Sequence, residues 1–162
     1  MDLSWTFPYL LFLHVLGAVV AFGPTFAFSF IGAAGGAEPQ HANFATRVSH
    51  TISSRLVYPI GLTLPITGLA MMAVREINPF ERGYWWLAVA IVLYLIAYGY
   101  AFFVQRKYVE RVIEITSAPP PPEATGPPPE LVELVGKIQR GGMMLGILLV
   151  AIIFLMVVKP QI

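Results

Sequence analysis

The stretch YWWLAVAIVLYLIAYGYAFFVQRK, Tyr84 to Lys107, decides the fold. It carries no charge from Tyr84 to Val104 and is closed by Gln105-Arg106-Lys107. A helix rises about 1.5 Å per residue, so about 20 such residues cross a hydrocarbon core of about 30 Å. Three other stretches share this character: Phe7 to Ile31, stopped by Gly32-Ala33-Ala34-Gly35-Gly36; Leu56 to Val74, closed by Arg75-Glu76 and the turn Asn78-Pro79; and Gly141 to Val158, ended by Lys159-Pro160. Short connections make neighbouring spans antiparallel. The expected fold is therefore all-α, an integral membrane up-down four-helix bundle with spans over about 7–31, 56–74, 84–104 and 141–158.

Composition agrees. The 162 residues are 57% hydrophobic and 12% charged, against about a quarter charged in globular domains. A net charge of +1 offers no basic patch for nucleic acid. The absence of cysteine rules out disulfides, thiolate metal sites and cysteine nucleophiles. The start, Met1-Asp2-Leu3-Ser4, has no Lys or Arg, and the apolar run from Trp5 to Ile31 far exceeds the roughly 7–15 residues of a signal sequence's apolar region. It is expected to remain as the first span.

An even number of spans puts both termini on one side. The termini and second loop hold Arg75, Arg82 and Lys159; the first and third loops hold Arg47, Arg55, Arg106, Lys107, Arg111, Lys137 and Arg140. Basic loops stay cytoplasmic, so both termini are expected outside. Trp5, Tyr9, Tyr84, Trp85 and Trp86 would form an aromatic belt there. Between Gln40 and Ser54, Phe44, Val48 and Ile52 recur every four residues, which predicts an amphipathic cytoplasmic helix at the surface or extending the second span. Residues 116–132, with Pro119 to Pro122 and Pro127 to Pro129, read as a proline-rich cytoplasmic linker.

Spans in lipid associate through close backbone contact. Gly142 and Gly146 form a G-x-x-x-G pair; Gly17, Ala18 and Ala21 give the first span a small face; Gly61, Pro65 and Gly68 do the same for the second. Pro24, Pro59 and Pro65 each remove a backbone donor and are expected to bend their helices.

His14 lies inside the first span, about 10 Å from the boundary. An ionisable group at that depth normally faces the bundle interior as a ligand, relay or hydrogen-bond partner. It shares a stripe with Gly17, Ala18 and Ala21, which leaves room for a helix or a flat cofactor. A neutral imidazole bonded to a Tyr or a carbonyl is the alternative. Tyr94 and Tyr98 share a face of the third span and are candidates to line a cofactor pocket, donate hydrogen bonds or simply pack. Thioether and imidazole together suit copper, and Met72 and Met156 fall in the same outer layer as His14. His41 and His50 read as interfacial. No span contains Asp or Glu, which argues against a carboxylate-based pump, and no phosphate loop, nucleophile elbow or zinc helix motif is present.

Three patterns carry a resemblance. They are Leu13-His14-Val15-Leu16-Gly17, then Arg55-Leu56-Val57-Tyr58-Pro59 with Thr67-Gly68-Leu69, and the terminal Met156-Val157-Val158-Lys159-Pro160. In order and spacing the chain resembles uncharacterised four-span bacterial proteins related to CopD (copper resistance) and HemJ (protoporphyrinogen oxidase). The resemblance implies a bacterial inner-membrane location and places His14 at the HemJ first-span histidine associated with haem. The third span lacks the basic residue of HemJ-like proteins, which sets the chain with the uncharacterised branch. The leading expectation is a haem-handling or redox component that binds haem b through His14 and is not a self-sufficient enzyme. The alternatives are a cofactor-free accessory subunit, in a homo-oligomer or a larger membrane complex, and a copper handler using His14, Met72 and Met156.

Overall fold

The computed structural model describes residues 3–118 and 126–160, and all regular structure among them is helical. Helix α1, Phe7–Ala37, follows a short 3-10 turn. Helix α2, Ala42–Ile52, passes through a π-turn at Ser53–Val57 into α3, Tyr58–Val74. Helix α4, Trp85–Tyr100, passes through a second π-turn at Ala101–Gln105 into α5, Arg106–Ser117. Helix α6 is Pro129–Val158. These form four rods of 34, 36, 33 and 30 residues, each long and apolar enough to cross a membrane. At 1.5 Å per residue they measure about 45–55 Å, more than the hydrocarbon core requires. The surplus lies on the side away from the termini, where α2, α5 and the first turns of α6 carry the charges.

Antiparallel rods pack as an up-down bundle. Helix α1 lies on α3, α4 on α6, α2 on α5 and α5 on α6, and a lighter α1–α6 contact closes the ring. Near the terminal side, Trp86, Leu87, Ala90 and Leu155 form a buried cluster against which Met72, Ile77 and Met156 pack. Only 11–22% of the most apolar window of each rod is buried. Phe30 is 78% and Val157 74% exposed. A globular core does not leave its most apolar faces open; a bilayer covers them. Among the described residues no polar or charged residue is buried. On the terminal side, Arg75 stacks 4.1 Å from the Phe7 ring centroid, Lys159 sits 5.7 Å from that of Trp86, and Trp86 Nε1 donates to the Gly83 carbonyl at 3.0 Å.

Two boundaries and one glycine contact differ from the sequence reading. The glycine run after Ile31 does not stop α1. A Cβ on Gly35 would lie 2.9 Å from Ala45 Cβ, so the small residues let α1 and α2 form a tight hairpin. The helix ends only at Glu38, which is extended ahead of Pro39. The amphipathic segment 40–54 takes the second of the two placements read from the sequence, as an extension of the second span. The linker 116–132 shortens, because α5 reaches Ser117 and α6 begins at Pro129; Pro119 to Pro122 lie outside the described residues. Finally, a Cβ on Gly142 or Gly146 would meet no other element within 4 Å among the described residues, whereas one on neighbouring Gly141 would strike Gln105 Oε1. Gly141 is the close-packing glycine inside the chain.

Candidate functional site

Proline chemistry explains the seam between the second and third rods. In a regular helix the N–H of residue 65 would bond the Gly61 carbonyl, but Pro65 has none. Tyr94 on α4 donates its hydroxyl to that carbonyl at 2.6 Å. Tyr98 donates to the Tyr58 carbonyl at 2.9 Å, and Tyr58 donates in return to the Ala101 carbonyl at 3.2 Å. Pro59 likewise withholds a donor from Arg55, and just before it the ladder switches to π spacing, with the Tyr58 N–H reaching Ser53. Tyr94 and Tyr98 stack with centroids 5.8 Å apart, and Phe102 continues the stack at 6.2 Å. Gly61 makes this possible, since a Cβ there would lie 2.9 Å from Tyr98 Cε2. Both tyrosine hydroxyls are thus spent on backbone carbonyls, which is the hydrogen-bonding option among those the sequence left open.

His14 sits nearer the terminal end of the second rod, half-buried between α1 and α3. Its Nδ1 lies 2.8 Å from Thr67 Oγ1. The Thr67 hydroxyl is itself 3.0 Å from the Thr63 carbonyl and 3.1 Å from that of Leu64. With its hydroxyl proton on one of these carbonyls, Thr67 would accept from His14 Nδ1–H; the other ring tautomer reverses the bond. In the first tautomer the lone pair lies on Nε2. Gly68 gives the ring space, with a built Cβ 3.5 Å from His14 Cε1. The small stripe beyond His14 is occupied by a helix: a Cβ on Gly17 would lie 3.2 Å from Leu64 Cδ2, and Ala21 is fully buried.

Met72 and Met156 each pack on the Trp86 cluster, and the side-chain partner of His14 is Thr67. Among the described residues no group of three or more His, Asp or Glu is arranged to hold a metal ion. His41 lies 3.7 Å from Glu38 in an exposed pair. His50 bonds Ser54 at 3.3 Å and lines an open hollow of about 360 Å³ with Arg47, Glu110 and Glu114. Sequence reasoning missed Asn43, whose amide donates to the Ile113 carbonyl, Thr116 and Ser117 at 2.8–3.3 Å. It ties α2 to the carbonyl end of α5, and an amide beside a proline-terminated hairpin was the available signal.

The fold and this arrangement define a polytopic membrane protein with a single intramembrane imidazole fixed between its first two spans. The chain belongs to the predicted integral membrane protein family DUF2269, which it matches over residues 8–160. No curated protein and no solved structure gives a match.

Proposed function

We propose that this protein binds haem b, or a related porphyrin iron, through His14 and serves as a haem-handling or redox component of a bacterial inner membrane. The observation that carries this reading is the His14–Thr67 bond of 2.8 Å. Metal-bound histidines are characteristically oriented by a hydrogen bond at the other ring nitrogen, which fixes the tautomer. Gly17 and Ala21 are taken up by helix contact, so His14 is the residue of this stripe that would hold the iron. Bound haem would supply one-electron chemistry; the chain's contribution is to fix the imidazole and exclude water from it. The resemblance to HemJ at Leu13 to Gly17 points the same way. By the distribution of basic residues, both termini would lie outside. In protein purified after expression with haem supplied, His14→Ala abolishes the Soret band. Thr67→Val keeps the ligand but weakens haem retention about 10–100-fold. No Soret band in the wild type, or an unchanged band in His14→Ala, overturns the proposal.

A second reading, an accessory subunit of a larger complex or homo-oligomer, is favoured by the open glycine pair of α6. A Cβ on Gly142 or Gly146 would face open space among the described residues, and such pairs commonly seat a helix from elsewhere. Gly142→Leu with Gly146→Leu leaves the stability of the isolated chain unchanged and dissociates the complex recovered in mild detergent. A wild type recovered only as a lone monomer rejects this reading.

A further inference from the structure

The third and fourth rods change from polar to apolar at the same level. Trp85 to Val104 is uncharged and followed by Arg106-Lys107, and Gly141 to Val158 is uncharged and preceded by Lys137 and Arg140. In a bilayer this boundary is the headgroup layer. An open groove of about 320 Å³ lies there, lined by Tyr100, Tyr108, Lys137, Arg140, Gly141 and Met144.

The groove is cationic on its polar side. Arg140 Nε donates to the Gly136 carbonyl at 3.2 Å, and no carboxylate pairs with its guanidinium among the described residues. Lys137 Nζ is 2.7 Å from Glu133 and 5.7 Å from the Tyr108 centroid. Two cations against one carboxylate leave a positive excess. The apolar side is formed by Met144 and Tyr100 over Gly141, where a Cβ would come 2.5 Å from Tyr100 Oη. A ligand that fits carries an anion joined to a hydrocarbon chain and approaches from the lipid.

We propose that this groove binds one anionic phospholipid of the bilayer, with its phosphodiester on Arg140 and Lys137 and an acyl chain along Met144. Basic pockets between membrane helices at this level recognise such headgroups. The proposal is independent of haem.

The test is native mass spectrometry of the full chain in detergent with equimolar dioleoylphosphatidylglycerol and dioleoylphosphatidylcholine. The phosphatidylglycerol adduct should dominate. Arg140→Gln should reduce it about fivefold, the effect of one cation near a membrane surface, while Arg140→Lys preserves it. Arg55→Gln removes a cation at the same boundary on the second rod and should change it less than about twofold. Excess free glycerol phosphate should not displace the adduct. Equal retention of the two lipids, an equal loss in Arg55→Gln, or displacement by glycerol phosphate would overturn the proposal.

Discussion

Pro65 removes a donor from the second rod, and Tyr94 of the third replaces it at 2.6 Å. That substitution of one hydrogen bond for another yields a sharp expectation. Tyr94→Phe leaves the Gly61 carbonyl unpaired in a dry interface and should cost about 1 kcal/mol, near the measured range for interhelical bonds in membranes. Pro65→Ala restores an N–H to the same carbonyl, so Tyr94→Phe should cost less in that background. Additive costs in a double-mutant cycle of detergent unfolding would rule the compensation out. Half of this was legible in sequence: Tyr94 and Tyr98 share a face at four-residue spacing, and Pro65 visibly lacks a donor. The missing half was the register between rods, which no local pattern encodes. The same holds for His14, whose depth was plain from hydropathy while its partner Thr67 lies 53 positions away.

Elements were read well in their apolar parts and poorly at their loop-side ends. Hydropathy marks where lipid begins, but it does not mark where a helix stops, and here every rod continues beyond the apolar run. Glycine at 32–36 looked like a terminator because glycine weakens helices in isolation; tertiary packing of Gly35 on Ala45 overrides that preference. The extension has its own fastening. Arg111 of α5 bonds Glu130 of α6 at 2.8 Å and 3.3 Å, and also Glu114 at 3.0 Å. The hydrogen bond from Arg111 holds the Glu130 carboxyl below the usual carboxylate range. Folding therefore favours its ionised form, and its contribution is complete above that range and fades as pH falls through and below it. A spin-label distance between the ends of α5 and α6 should broaden on acidification below about pH 4 in the wild type. In Glu130→Gln it should be broad already at neutral pH. A distribution identical in both proteins at every pH would show that the pair fastens nothing.

At the scale of the whole molecule, fold class came directly from composition. A chain with four uncharged runs near 20 residues and its large side chains facing outward has one solvent available to it, the hydrocarbon core. Function was less legible because a single imidazole is compatible with several chemistries, and its hydrogen-bond partner, Thr67 Oγ1, belongs to another rod. Since the chain contains no cysteine, single cysteines can be introduced against a silent background. The decisive measurement is labelling of such variants by a membrane-impermeant maleimide in sealed, uniformly oriented vesicles. Ser4→Cys, Asn78→Cys and Lys159→Cys should react from one side only, and Thr46→Cys and Ser117→Cys only from the other. Leu62→Cys, Leu95→Cys and Ile147→Cys should resist from both until detergent is added. Reaction of any of the last three in intact vesicles, or of Ser4→Cys and Lys159→Cys from opposite faces, would contradict the four-span architecture and with it the placement of His14.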